Sequence, residues 1–203
     1  MNTYRELLIG CGHSREKRIH CPRRGDAVNV ATLTPASVSS GGWENLTTLD
    51  NNPKCKPDVL CDLRIRGRIY GPPENARSLE TAFPEGNTFD EIHAYEVLEH
   101  VGHQGDFNSF FFQFGHFWRM LKPNGYFCAT VPDHKSPWAW GDPGHTRIIN
   151  RGTLVFLDQD EYARQLGKTS MSDYRKELGD TNFKVVFSET VQETFRFVLR
   201  AVK

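Results

Sequence analysis

The stretch Phe89-Asp-Glu-Ile-His-Ala-Tyr-Glu-Val-Leu-Glu-His-Val101 decides how the rest of the chain is read. Its first half alternates as a buried strand does, with Ile92 and Ala94 on one face. Its second half predicts the start of a helix. There Glu96, Glu99 and His100 stand at i, i+3 and i+4 and share one patch within roughly 100–110° of arc. Two carboxylates and an imidazole make poor core. They suit the carboxyl edge of an open α/β sheet, where ligands bind.

Working upstream, Leu7-Leu8-Ile9 reads as a first strand running into Gly10-Cys11-Gly12. Closely spaced glycines after a strand let backbone approach a nucleotide, although the third glycine of the dinucleotide fingerprint is missing. Residues 13–42 form an irregular insertion, basic and polar at first and then rich in small and β-branched residues. Cys11, His13, His20 and Cys21 lie near one another in sequence, but their spacing matches no standard zinc site. Trp43 to Leu49 predicts a second strand, ended by the turn Asp50-Asn51-Asn52-Pro53. Asp50 is placed either as a simple turn former or to accept hydrogen bonds from the hydroxyls of a ribose. Asp58 to Leu63 predicts a third strand with Asp62 near its end, and residues 64–88 read as loop.

Downstream, Phe107, Phe110, Phe111, Phe114 and Trp118 form an apolar stripe of helical period between Asp106 and Leu121. Phe112 and Phe117 fall off it, as residues of a partner surface would. Tyr126 to Val131 predicts a strand, and 132–151 a long substrate loop carrying Trp138, Trp140 and His145. Asp158 is expected to cap a short helix, with Glu161 closing a capping box and Gly167 ending it. A further helix over 172–179 and two β-rich runs, 183–187 and 195–202, complete the chain.

The bulk numbers fit one soluble domain. A chain of 203 residues can bury a real core. Its 25 basic and 25 acidic residues cancel, which argues against a long-duplex nucleic-acid binder or a membrane-surface protein. Five cysteines without a C-x-x-C pair read as reduced thiols. No apolar run is long enough to span a bilayer and the start lacks a signal core, so the expected location is cytoplasmic.

In order, Leu8-Ile-Gly-Cys-Gly12, Trp43-Glu-Asn-Leu-Thr-Thr-Leu-Asp50, Asp58-Val-Leu-Cys-Asp-Leu63, Glu96-Val-Leu-Glu-His-Val101 and Trp118-Arg-Met-Leu-Lys-Pro-Asn-Gly125 resemble the class I S-adenosylmethionine-dependent methyltransferases, of the type 11-like kind. The resemblance covers roughly residues 5–200. It implies a single Rossmann-like α/β domain: a seven-stranded, mostly parallel sheet with helices on both faces and a C-terminal antiparallel hairpin. It also implies the cofactor S-adenosyl-L-methionine, with Gly10, Cys11 and Gly12 beside its methionine portion and ribose. Asp50 with Asn51 would meet the ribose hydroxyls, Asp62 and Leu63 the adenine, and Glu96 the reactive end. Two features depart from the family: Leu8 stands where an acidic residue is usual, and the insertion follows Gly12 directly.

Glu96, Glu99 and His100 followed by His145 further resemble the E-x-x-E-H…H set of metal-dependent O-methyltransferases. Two carboxylates and two imidazoles suit Mg²⁺ or Mn²⁺, which would acidify a hydroxyl held beside the methyl donor. Without a metal, Glu96 would contact the cofactor, Glu99 would favour a helix start, and His100 would serve as a general base or as packing. The expected function is O-methylation of a hydroxyl on a small molecule, sugar or nucleotide end. The competing reading is a catalytically inactive fold used for binding or assembly. A nicotinamide oxidoreductase is disfavoured by the missing third glycine and the terminal hairpin.

Overall fold

The computed structural model describes residues 3–21, 42–64 and 76–203. Seven strands build one sheet: β1 (Glu6–Ile9), β2 (Leu46–Asp50), β3 (Val59–Leu60), β4 (Phe89–Tyr95), β5 (Leu121–Pro132), β6 (Phe183–Val191) and β7 (Thr194–Ala201). Their order is β3-β2-β1-β4-β5-β7-β6. The first five pair in parallel. Strand β7 runs antiparallel to both β5 and β6, so six strands share a direction and the last one is inserted against it. The chain winds outward from β1 to β3 and then restarts at β4 on the other side. That reversal opens a crevice at the carboxyl ends of β1 and β4.

Alternation along the strands sorts side chains onto two faces. Leu7, Ile9, Ile92, Ala94, Phe127, Ala129 and Phe197 join the larger apolar cluster, Ile92 and Ala94 together as expected. Helices α1 (Leu79–Ala82), α2 (Phe107–Met120), α4 (Arg151–Val155), α5 (Gln159–Gln165) and α6 (Arg175–Leu178) each add a buried residue to that cluster. A short helix α3 (Pro137–Gly141) lies in the loop after β5. Asp106 caps α2 by accepting from the Ser109 N–H (3.0 Å).

The aromatic stripe of α2 is wider than its period implied. Phe110, Phe111 and Phe114 are buried, and so is Phe117, which stacks on Phe127 with ring centroids 4.7 Å apart. Phe117 is therefore core, not partner surface, because the face of α2 against the sheet spans more than one row of side chains. Phe112 is 39% exposed and meets His116 edge-on. Helix α5 is capped by Asp158, whose Oδ1 accepts from the Asp160 N–H (2.8 Å) and the Glu161 N–H (3.3 Å). Glu161 does not reach back to close a box; its carboxylate binds Arg164 and Gln165. The capping box lies instead at Asn150 and Thr153.

The second face is held by charge. Glu6, Glu91 and His93 point from β1 and β4 into the interior, each at most 1% exposed. Lys17 pairs with Glu6 and, at 2.9 Å, with Glu91. Tyr4 donates to Glu91 (2.6 Å), His93 lies 2.8 Å from Glu91, and the Ile19 N–H donates to the Tyr95 hydroxyl (3.1 Å). Ionic and backbone contacts thus lay the start of the insertion across the sheet, which is why residues 13–21 carry no amphipathic period. The insertion's remainder, 22–41, lies outside the described residues. Among the described residues, Cys11, His13, His20 and Cys21 do not come together as a zinc set: Cys21 Sγ meets Cys128 Sγ (3.2 Å), and His13 meets Cys55 (4.0 Å).

Replacing Lys17 by Met strands two buried carboxylates, a change that costs about 3–5 kcal/mol. Urea unfolding at pH 7 is expected to show that loss. The deficit relative to wild type should narrow as pH falls toward 5, because protonating either carboxylate removes the repulsion.

Candidate active site

Four strand ends, those of β1, β2, β3 and β4, meet at the crevice. Strand β1 runs into Gly10, whose φ of +65° is open to glycine and whose missing Cβ is the space filled by Val97. The turn is pinned by Gly10 and Cys11 N–H groups, both donating to Leu49 O at the end of β2 (2.8 and 3.2 Å). Asp50, the next residue, accepts from the Gly12 N–H through Oδ2 (2.8 Å) and from the Asn52 N–H through Oδ1 (2.8 Å). A carboxylate has about four lone-pair sites, so each oxygen keeps acceptor capacity.

A cavity of about 420 Å³ opens above these ends. Gly10, Asp50, Asn51, Asp62, Leu63 and Glu96 line it, together with His100. Cys11 and Gly12 do not. The Cys11 side chain is buried in the second-face cluster, and Gly12 acts through its N–H on Asp50. Asp62 follows β3, where Cys61 bridges to Arg77. Burial pushes its carboxyl upward, but Arg64 outweighs that and holds it below the usual range, bonding both oxygens (2.7 Å from Nη2 to Oδ2). Arg64 had no signal in the sequence as a lining residue.

The expected helix at Glu96 does not form. Glu96 stands in the left-handed region at φ +55°, its N–H donating to Thr130 O on β5 (2.9 Å), and only a 3₁₀ turn follows over Leu98–His100. A non-glycine residue there costs on the order of 1–3 kcal/mol, and such strain clusters at functional sites. The i, i+3, i+4 patch is therefore not a helix face. The kink sends Glu99 inward, 3% exposed, and leaves His100 exposed.

Even so, Glu99, His100 and His145 converge, each offering a ligand atom within 4.8 Å of the others. Glu96 lies outside this group, but its carboxylate contacts that of Glu99. Burial pushes the Glu99 carboxyl up to about 8, with Glu96 adding to the rise. One Glu99 oxygen, Oε2, is buried without a hydrogen-bond partner among the described residues. His100 Nδ1 faces Gly144 O (3.0 Å) and His145 Nδ1 faces Trp138 O (2.9 Å). Donation to those carbonyls leaves each Nε2 as the lone-pair nitrogen. The two rings meet edge to face, centroids 4.7 Å apart. Ser136 caps α3 and so presents the Trp138 carbonyl, while Trp138 and Trp140 are 63% and 69% exposed.

No protein-family model matches the chain. No characterised protein matches it by sequence. Solved structures do. The N-methyltransferase NodS from Bradyrhizobium japonicum, in complex with S-adenosyl-L-homocysteine, is 14% identical, with 99% of this chain and 79% of that one covered and a TM-score of 0.52. The 1,6-didemethyltoxoflavin-N1-methyltransferase of Burkholderia thailandensis, with 1,6-didemethyltoxoflavin and S-adenosylhomocysteine bound, is 13% identical, with coverage of 100% and 72% and a TM-score of 0.50. The chain has the fold of the class I S-adenosylmethionine-dependent methyltransferases. Among its described residues, no helix is long and apolar enough to cross a membrane.

Gly10→Ala places a methyl group into Val97 at a positive φ and should lower stability by about 1–3 kcal/mol. For a chain of this size that corresponds to roughly 2–4 °C of melting temperature per kcal/mol, readable by calorimetry.

Proposed function

We propose that this protein transfers a methyl group from S-adenosylmethionine to a hydroxyl of a small molecule or nucleotide end. One observation carries the reading. The cavity at the β1–β4 reversal is bordered together by the glycine turn, the Asp50 carboxylate, Asp62 with Leu63, and the strained Glu96. The residues suit the cofactor: Asp50 keeps free lone pairs for two ribose hydroxyls, and the crevice lies where such folds bind nucleotides. Bound there, the cofactor supplies an electrophilic methyl on a sulfonium.

The chain's own part is positioning, exclusion of water and proton removal. Asp50 and Asn51 orient the ribose end, and Asp62 and Leu63 line the adenine end, where Arg64 must yield one oxygen of Asp62 to an incoming amine. Glu96 and His100 face the same cavity. His100, with Nδ1–H committed to Gly144 O, offers Nε2 to take the proton of an acceptor hydroxyl.

Calorimetric titration with S-adenosylhomocysteine is expected to show binding, weakened at least tenfold by Asp50→Ala, which removes a charged acceptor worth roughly 1.5–3 kcal/mol. No heat from either the cofactor or its demethylated product would end the proposal. Binding without turnover on any hydroxyl acceptor would favour the inactive binding module instead.

A second reading adds a divalent ion to the same site. The orphaned Glu99 Oε2 and the two Nε2 lone pairs are what such an ion requires, and the mixed carboxylate and imidazole set suits Mn²⁺ or Mg²⁺. Glu99, His100 and His145 would hold it; Glu96 would contribute through Glu99 rather than as a fourth ligand. Its chemistry would be acidification of the acceptor hydroxyl. Titration with Mn²⁺ should show one site in wild type and none in His145→Ala. Unchanged Mn²⁺ affinity in that variant would exclude these ligands.

A further inference from the structure

A second cavity, about 270 Å³, lies beside the first and has no part in the assignments above. Glu96 to Val101 supplies one wall of the cofactor cavity, whereas His103 to Asp106 lines this one. Only Gly102 separates the two runs along the chain. Much of the wall is rings, Phe107, Phe110, Phe111, Phe156 and Tyr174, with Gln104, Asp106 and Thr153 as its polar part. Phe107 and Phe111 each contact Tyr174, with centroids 5.0 and 5.5 Å apart.

Among those rings lies one cation, Arg147, only 5% exposed. Its Nη2 reaches the carbonyls of Asp106 (3.1 Å) and His103 (3.4 Å), and its Cζ stands 5.5 Å from the centre of the Phe110 ring. Its Nη1 is buried and has no hydrogen-bond partner among the described residues. No ion pair to it is formed among them; the Asp106 carboxylate, bonded to the Ser109 N–H, favours its charge only from a distance. A guanidinium stays charged in proteins, so this is a buried positive charge with no anion in direct contact and one acceptor short.

We propose that this cavity binds a compact aromatic carboxylate, its ring against the Phe and Tyr side chains and its carboxylate on Arg147. A carboxylate would bring an anion into contact and, with a turn of the guanidinium toward the cavity, an acceptor for Nη1, as charge-assisted bonds of about 2.7–2.9 Å. The flat walls favour a planar ring through offset or edge contacts. The volume lies just below the ordinary range of about 300–1,000 Å³ for small-molecule pockets, which selects a one- or two-ring acid over a nucleotide. That the acid is the methyl acceptor rests on the methyltransferase reading; that it binds here does not.

The test titrates the full chain with benzoate and indole-3-carboxylate, with benzamide and inorganic phosphate as controls, by calorimetry. At least one acid should bind, with benzamide at least tenfold weaker than benzoate and phosphate weaker than both acids. Ile148→Trp, which fills the cavity, should abolish acid binding and leave S-adenosylhomocysteine binding intact. Arg147→Met should erase the preference for acid over amide, and Ile148→Trp serves alone if that variant does not fold. Equal binding of acid and amide, tighter binding of phosphate, displacement of the acid by S-adenosylhomocysteine, or no acid binding up to about 10 mM would each overturn the proposal. Acid binding with no cofactor binding would uphold this site and overturn only its role in methyl transfer.

Discussion

The Glu96 N–H bond to Thr130 O, made by a residue in the left-handed region, sets the geometry of everything at the carboxyl edge of the sheet. A regular helix starting at Glu96 would have carried Glu99 and His100 out on one exposed face. The kink instead ends β4 abruptly, lets Val97 pack into the space above Gly10, and buries Glu99. It also brings the Glu99 carbonyl within reach of the Thr146 and Arg147 N–H groups (2.8 and 3.2 Å). One strained residue therefore shapes the floor of the cavity at the β1–β4 reversal and fixes the loop after β5 against it.

Two neighbouring devices keep that edge rigid without a regular helix. The Asp50 carboxylate ties the end of β1 to the turn after β2 through two backbone N–H groups. On the far face of the sheet, Lys17 compensates Glu6 and Glu91 where an apolar helix would otherwise pack. A buried ion pair is a weak source of stability compared with apolar packing, but removing one partner is costly. The insertion is thus held in one place less by how much the contact stabilises than by what its loss would expose.

What the sequence disclosed follows from which signals are local. The strand segments, the terminal antiparallel pair, the cap at Asp158 and the aromatic helix were legible because alternation, glycine turns and caps are short-range patterns. The residues around the cavity were legible for the same reason: Gly10, Asp50, Asp62 and Glu96 each stand at a strand end. Conformation at those ends was not. Nothing in Tyr95-Glu96-Val97 marks a positive φ, because the constraint comes from Thr130, thirty-four residues on. Phe117 was misread for a related reason, since the width of a helix's buried arc depends on what it meets. Arg147 was invisible as a buried cation: an arginine in a polar loop reads as exposed until its carbonyl partners, some forty residues earlier, are known.

The two cavities differ in how charge is handled, and that difference divides the work between them. Around the cavity at the β1–β4 reversal Asp50 and Asp62 keep their acidic groups bonded to donors, and Glu99, pushed up to about 8 by burial, meets Glu96. That edge can accept hydroxyls, a cation or a proton. The neighbouring cavity is largely ring-lined around a buried guanidinium whose Nη1 has no hydrogen-bond partner among the described residues, a setting that suits a flat anion. The Glu99 carbonyl accepts from consecutive N–H groups of Thr146 and Arg147, one residue after His145 and at the arginine itself. The same backbone contact therefore registers the candidate metal ligand His145 against the candidate anchor Arg147. A shift of that loop by even a hydrogen-bond length would misplace both, which gives a physical reason for finding the acid and imidazole cluster and the buried cation on one short segment.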